Sequence, residues 1–524
     1  MTAVDAVVVG SGPNGLVAAA LLARAGWRVT VLERASVAGG AVRSEELTLP
    51  GYVHDTFSAF YGILHASPVF AELGLDRRVE WARHPVPGAA MTAPGQAALC
   101  HLDPERTAAG LSGFDPHDGP AWLELYRWWL GVGRPLFRTV ISPLPSVLPT
   151  LRFLRAAGLR GALDAVKTQV EPVEWLARER FRSEAARVLL ACGSSHSDVA
   201  VDSPASSLMA LALAMVSQEV GMPVPVGGAG RLAEALVEVV QEAGGVVLTD
   251  KEVRRVSVER GRAVGVETVD GDSLRASRAV LADVGAPRLF LHLVGQDHVP
   301  SAYLAGLRRF RYGTGVFKVD LALDGPAPWS AEGLDRCGVV HLSGDLDTLA
   351  RSAFEARRGL LPAEPLLVVG QQSLADPSRA PEGGHTLWVE THVPPDPLDG
   401  TWADLGPRFL ERVMDRLERH APGLGQKVVG TAVHTPPDLE GQNPNLVGGD
   451  IGGGSGAIDQ QLVFRPVPGW FRYATPVRGL YLCSASAHPG GAVHGMVGRN
   501  CARRVLADAR LGRLRPSVRP MACC

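Results

Sequence analysis

The run Val4-Asp-Ala-Val-Val-Val9 leads directly into Gly10-Ser-Gly12-Pro13-Asn14-Gly15, and Leu16-Val-Ala-Ala-Ala-Leu-Leu-Ala-Arg-Ala25 follows. A short β-branched run, a Gly-x-Gly-x-x-Gly turn and an Ala/Leu-rich segment predict a strand, a phosphate-binding turn and a helix. Gly26 ends the helix, and Trp27-Arg-Val-Thr-Val-Leu32 predicts a second strand closing on Glu33. In such a unit Gly10 makes the tight turn, Gly12 lets backbone approach a diphosphate, and Gly15 lets helix and strand pack closely. The helix N-terminus offers N–H groups and partial positive charge to phosphate, and Glu33 offers a carboxylate to ribose hydroxyls. Strand, turn, helix, second strand and acid stand in register, which predicts a dinucleotide-binding unit.

The rest of the chain must supply further domains, because 524 residues exceed one core. Charge is balanced, with 52 Lys+Arg against 54 Asp+Glu, so nothing points to nucleic acid. The seven cysteines contain no Cys-x-x-Cys, which argues against a redox disulfide or a zinc site; no metal is expected. The first strand begins too early to leave room for a signal peptide, and no apolar run is long enough to span a bilayer. These features predict a cytoplasmic protein.

A second glycine pair follows the ribose acid, in Glu33-Arg34-Ala-Ser-Val-Ala-Gly39-Gly40-Ala-Val-Arg43. This stretch resembles the signature of the large FAD family that contains amine oxidases and phytoene desaturases. Gly39 and Gly40 would let another backbone segment lie against the diphosphate, with Arg43 as counter-charge. Near the other end, Gly479-Leu-Tyr-Leu-Cys483 predicts a strand. The small-residue loop Ser484-Ala-Ser-Ala-His488-Pro-Gly490-Gly491-Ala-Val493-His494 follows, with a helix from Arg499 to Ala509. In the resembled family this junction lies at the flavin's pyrimidine edge. Gly228-Ala-Gly230-Arg-Leu-Ala233 matches a second nucleotide pattern, but Pro223 and Pro225 interrupt the strand that should precede it. The family reading makes this a helix returning the chain to the first nucleotide domain, with Val253 at the adenine. Residues 256–282 then read as a β-meander.

The blocks Pro50-Gly51-Tyr52-Val53-His54-Asp55, Asn443 to Asp450, Asp459-Gln460, Arg465-Pro466 and Thr475-Pro476 extend the resemblance over nearly the whole chain. It is similar to the phytoene-desaturase-related FAD oxidoreductases, which include carotenoid desaturases, desaturase-type carotene ketolases and animal proteins named for a pyridine nucleotide-disulfide oxidoreductase domain. The resemblance implies an α/β fold: a discontinuous Rossmann-type FAD-binding domain (1–75, 222–300 and 473–510), an inserted α+β substrate domain (76–221 and 301–472) and a loose tail (511–524). It implies non-covalent FAD and hydride transfer from a C–H bond of a hydrophobic, polyene-like substrate to flavin N5. Oxygen or a quinone would reoxidise the flavin. Rival readings are a ketolase or amine-oxidase-like enzyme, a redox-neutral isomerase or cyclase, and a non-catalytic flavin-binding assembly factor.

Candidate catalytic residues follow. Gly315-Val-Phe-Lys318-Val-Asp-Leu resembles the amine-oxidase segment in which a lysine holds a water near flavin N5, against the alternative of an exposed lysine on an edge strand. His488 and His494, beside the flavin loop, could position substrate or move a proton, against a purely structural role. Asp55 and Tyr61 match family positions near the flavin. Ser206 to Val220 is apolar nearly all round, as suits a core helix or a tunnel wall. Ile141 to Leu154 is apolar and broken by Pro143, Pro145 and Pro149. It could dock on a membrane, although it lacks an evident basic face.

Overall fold

The computed structural model describes residues 3–514. Its first strand is Ala3–Val9, buried from Ala6 onward, which accounts for the unbroken apolar run. It pairs in parallel with Val29–Leu32 on one side and with Ser273–Ala282 on the other. Val246–Leu248 extends the sheet beyond Val29–Leu32, and Leu480–Leu482 lies parallel to Ser273–Ala282. Segments from both ends and the middle of the chain thus share one parallel sheet. Val253–Glu259 and Arg262–Thr268 run antiparallel into Ser273–Ala282, which is the expected meander. Helix Pro13–Arg24 packs against Gly230–Glu242 and Met496–Arg510. A Cβ on Gly498 would collide with the Asn14 carbonyl oxygen, so the close approach of first and last helices requires glycine there.

The second sheet has seven strands, in the order Val428–His434, Gly315–Leu323, His385–Val393, Leu367–Gly370, Cys337–Leu342, Val86–Ala93, Gln96–Cys100. Period-two alternation divides Gly315–Leu323 between two environments. Phe317, Val319, Leu321 and Leu323 enter a core with Trp402, Phe409, Val413 and Leu417 of helix Trp402–His420. Val316, Lys318 and Asp320 point to the other face. Every residue of this strand is buried and strands flank it on both sides, so the edge-strand reading of Lys318 is wrong.

The first insertion is rich in helices. Ser206–Val220 forms one helix over the predicted span. The proline-broken stretch differs from its reading. Pro143 and Pro145 precede a helix, Val147–Val170, and Pro149 falls in its first turn, where a missing N–H costs nothing. Gly158 kinks it (φ 66°). The helix exposes Arg152, Arg155, Arg160 and Lys167, three of them beyond the stretch 141–154, so the basic character lacking there comes from its continuation.

Smaller shifts occur elsewhere. The second strand starts at Val29, the return helix at Gly230 and the last helix at Met496. Pro225 lies in a two-residue strand paired with Trp81–Ala82. Of the expected tail, Leu514 is buried and its carbonyl accepts from Arg262 Nη2 at 2.8 Å. Residues 515–524, which hold Cys523 and Cys524, lie outside the described residues.

Candidate active site

Parallel strands aim their carboxyl ends at one edge of a sheet, and ligands of such folds bind there. Val9, Leu32, Asp283 and Ser484, at or just past four strand ends, line a single cleft of about 530 Å³. Gly10, Gly12, Pro13, Asn14, Glu33, Arg34, Gly40 and Arg43 line it from the amino end of the chain, Val253 from the middle, and His488, Gly491 and Val493 from the carboxyl end. Gly15, Gly39 and Gly490 stand behind the lining. Gly15 N–H donates to Asp283 Oδ2 at 2.8 Å, and Gly39 N–H donates to the Ser11 carbonyl at 3.1 Å. A Cβ on Gly490 would lie 3.0 Å from Gln461 Oε1.

The donor set suits a dinucleotide. Helix Pro13–Arg24 starts at Gly12 without a side-chain cap; Pro13 has no N–H and Gly15 N–H is taken by Asp283, which leaves Asn14 N–H as the first-turn donor at the cleft. A Cβ on Gly40 would sit 2.9 Å from the Gly12 Cα, so the two glycines keep open a channel that side chains would fill. Glu33 is fixed in the cleft wall: Oε2 accepts from Ser11 N–H (2.9 Å) and Ser11 Oγ (2.7 Å), and Oε1 accepts from Ala35 N–H (2.9 Å).

The opposite bank is a buried scaffold for glycine-rich backbone. Arg465 donates to the carbonyls of Gly453 (2.9 Å), Ser455 (3.0 Å) and Ala485 (2.9 Å). Asp450 accepts from Gly313, Gly452 and Gly454 N–H at 2.9, 2.6 and 2.8 Å. Asn445 Oδ1 accepts from Gly285 N–H at 3.0 Å, and its amide donates to the Asp283 carbonyl at 3.3 Å. The sequence blocks around Asp450 and Arg465 therefore build the bank rather than the chemistry. His488 Nε2 lies 3.0 Å from the Ser142 carbonyl, which assigns the proton to Nε2 and leaves Nδ1 an unpartnered acceptor in the buried lining. His494 Nδ1 accepts from Met496 N–H at 3.0 Å. Burial pulls both histidines down to about 4, so both are neutral near pH 7.

Asp55 and Tyr61 are not brought to the cleft. Asp55 Oδ1 accepts from Ser44 Oγ and Ala229 N–H, both at 2.7 Å, and Oδ2 pairs with buried Arg379 at 2.8 Å. Its lone pairs are occupied in clamping three segments together. Tyr61 bonds Ser58 Oγ at 2.9 Å and packs its ring on Trp81; burial raises its pKa. Neither touches the space in which a ligand would lie.

Lys318 does reach the cleft, and the second sheet supplies its neighbours. Across the strands, His434, Lys318, Glu390, Val368 and His341 occupy one row on the cleft face. Lys318 is 2% exposed and ion-paired to Asp320, which burial raises to about 6 although Lys318 opposes the shift. Burial first, then the Lys318 charge, lowers His54 to about 3 and His434 to about 4. Burial raises Glu390 to about 7, with Lys318 again opposing. His341 Nδ1 lies 3.1 Å from the Ala89 carbonyl and its Nε2 lies 2.9 Å from His196 Nε2, which also lines the cleft. Facing this polar row is an apolar wall. Leu208, Met209, Ala212 and Leu213 of helix Ser206–Val220 line the cleft, while Ala210, Leu211, Met215 and Val216 join the core. The all-round apolar pattern serves both purposes.

Asp283 and Glu390 escaped the sequence reading. An acid directly after the buried strand end Ala279–Ala282 was the signal for the first. For the second it was the alternation Trp388-Val-Glu390-Thr-His392, which places three such side chains on one face.

A parallel sheet, an uncapped helix N-terminus and a closing loop around one cleft define a nucleotide-dependent oxidoreductase fold. The chain belongs to the family of flavin containing amine oxidoreductases, whose model matches residues 14–506. It is 31% identical to the Mus musculus pyridine nucleotide-disulfide oxidoreductase domain-containing protein 2, over 97% of this chain and 94% of that protein. It is 25% identical to a Cereibacter sphaeroides phytoene desaturase (neurosporene-forming), over 94% of this chain and 92% of that one. An oxidoreductase from Methanosarcina mazei shares the fold, with a TM-score of 0.60 at 18% identity over 96% and 99% of the two chains. The protein is accordingly a flavin-dependent oxidoreductase. Among the described residues five buried cysteines are free, so the disulfide in the mouse protein's name has no counterpart there.

Proposed function

We propose that the chain binds FAD non-covalently and dehydrogenates a C–H bond of a small molecule with a largely apolar body. The observation that carries this reading is the single cleft: dinucleotide motifs from both chain ends and the apolar helix wall border the same space. Gly12, Pro13 and Asn14 would hold the diphosphate, Glu33 the adenosine ribose, Val253 the adenine, and the backbone of 489–493 the isoalloxazine's pyrimidine edge. Bound there, FAD supplies the hydride acceptor. The chain's own part is to exclude water with Leu208, Met209 and Leu213, to orient substrate, and to keep Lys318 and Glu390 beside it. No cysteine lines the cleft among the described residues, which supports release of the cofactor on denaturation. The Gly228–Gly230 turn opens a helix of the same sheet, so it supports no separate nicotinamide site, and oxygen or a quinone is the proposed electron acceptor.

The substrate would arrive from a membrane surface. Helix Val147–Val170 leaves Leu148 67% and Leu159 76% exposed, and its Arg152, Arg155 and Arg160 suit an anionic bilayer. It packs on helix Arg134–Val140, whose Val140 also lines the cleft. No helix among the described residues is long and apolar enough to cross a membrane.

The test is a spectrum and a bleaching experiment. Purified protein should absorb as a flavoprotein, release FAD into the supernatant on acid precipitation, and lose flavin absorbance anaerobically when mixed with a polyene such as phytoene in vesicles. A colourless protein that ignores added FAD overturns the cofactor assignment. A loaded flavin that neither polyenes nor other apolar substrates reduce overturns the dehydrogenase assignment.

A further inference from the structure

Glu390 presents a problem that the dehydrogenase reading does not solve. Its side chain is 6% exposed, it lines the cleft, and among the described residues its carboxyl receives no hydrogen bond. A buried carboxyl without a partner is destabilising, so such a group in a ligand cleft is arranged for a donor that arrives from outside. Its nearest charged neighbour does not supply one. Lys318 stands directly opposite on the adjoining strand, but its ammonium is turned to Asp320, and no ion pair joins it to Glu390 among the described residues. Lys318 therefore keeps N–H donors for the cleft. Above its raised value of about 7 Glu390 is an acceptor-only carboxylate beside the donor-only ammonium of Lys318, each with unused capacity, in a cleft that Leu208, Met209 and Leu213 also line.

Four kinds of polar head can be compared at this pair. A pure hydrocarbon leaves both groups unpartnered. An ammonium satisfies Glu390 but meets the like charge of Lys318. A carboxylate satisfies Lys318 but meets Glu390 and, behind it, Asp320. A hydroxyl group is neutral, donates through its hydrogen and accepts through its oxygen, and so completes both partners at once. We infer that the cleft takes an apolar molecule bearing a hydroxyl group, held between Glu390 as acceptor and Lys318 as donor. The inference rests on the cofactor and substrate reading above and narrows it to alcohols of long-chain, polyprenyl or ring-fused type. Glu390 acts here as a specificity residue.

The experiment compares binding, not turnover. At about pH 8.5, where Glu390 is ionised, holoprotein with its FAD content measured first is titrated with octan-1-ol, 1-methoxyheptane, octylamine and octanoate, each of similar length and differing only at the head. Perturbation of the flavin absorption bands and isothermal calorimetry give the affinities. Octan-1-ol is expected to bind about tenfold or more tighter than its ether isostere, which accepts but cannot donate, and tighter than the amine and the acid. Glu390→Leu should erase the advantage of alcohol over ether while leaving FAD content unchanged; Glu390→Gln, whose amide oxygen still accepts, should keep part of it. Equal affinities for alcohol and ether would mean that water alone occupies the pair, and a preference for amine or acid would assign a charged head; either result overturns the inference. The four-ligand comparison decides the matter even if the leucine variant does not fold. A protein that carries no FAD fails the earlier reading instead, so the two failures are separable.

Discussion

Asp283 illustrates how one side chain can set the terms on which a cofactor enters. Its Oδ2 would lie 2.6 Å from a Cβ at Gly12, the point where a diphosphate must pass, and burial raises its carboxyl to about 7, with Gly15 N–H opposing and Glu33 adding to the shift. An anion bound alongside favours the protonated form. Affinity for FAD is therefore greatest below pH 7, where Asp283 is already neutral, and falls as pH rises and a proton must be taken up on binding. Fluorescence titration of apoprotein between pH 6 and 9 should show Kd rising by up to about tenfold per unit above 7. Asp283→Asn should bind tightly with no such slope; an unchanged slope in the variant would assign it to another group. Single residues also mark where sequence reading stops. Glu33 was legible because its partners Ser11 and Ala35 are near in sequence, and the Gly12–Gly15 turn because its spacing sits between a strand and a helix, although Gly15 is held by distant Asp283. Asp55 was assigned to the wrong place because its use is fixed by Arg379, more than three hundred residues along the chain. Glu390 went unread because only the pairing of two distant strands sets it beside Lys318.

At the scale of elements, helices and strands with one dominant environment read well from the sequence, and those serving two environments did not. The first parallel strand and helix Ser206–Val220 carry continuous apolar runs because they are enclosed, and their spans emerged almost unchanged. Helix Val147–Val170 was obscured by Pro149 and by an exposed apolar surface that ordinary soluble helices avoid. That surface predicts lipid binding. Sedimentation with vesicles containing about one third phosphatidylglycerol should recover most of the protein at low salt, and substantially less at 0.5 M salt, where the arginine contribution is screened. Replacing Leu148, Leu151 and Leu159 together with Asp should abolish co-sedimentation without changing FAD content, because none of the three belongs to the cleft lining. Full recovery of the triple variant on vesicles would dismiss this helix as the docking element.

For the whole molecule, buried histidines dominate the response to acid. Burial lowers His54, His196, His341, His434, His488 and His494 to about 3 or 4, against 6.5 for the free side chain. The unfolded chain takes up these protons below 6.5 and the folded chain does not, so the stability they contribute is present above 6.5 and is lost as pH falls toward 4. Asp283, Asp320 and Glu390, raised to about 6 or 7, act in the opposite sense and lose their contribution as pH rises through that range. The histidines outnumber them. Urea midpoints of the apoprotein should therefore climb from pH 5 to about 6.5 and then level off, at up to about 1.4 kcal/mol per group per pH unit on the steep limb. A profile flat from pH 5 to 7 would mean that the folded imidazoles protonate in place. The contact between Gly498 and Asn14 reaches further still. A ribosome completes the glycine turn 484 residues before the glycine that seats against it. Throughout that interval the nascent chain carries a finished motif and no finished pocket. A chain stopped upstream of Met496 should thus purify colourless, its first helix having lost the partner that Gly498 lets approach.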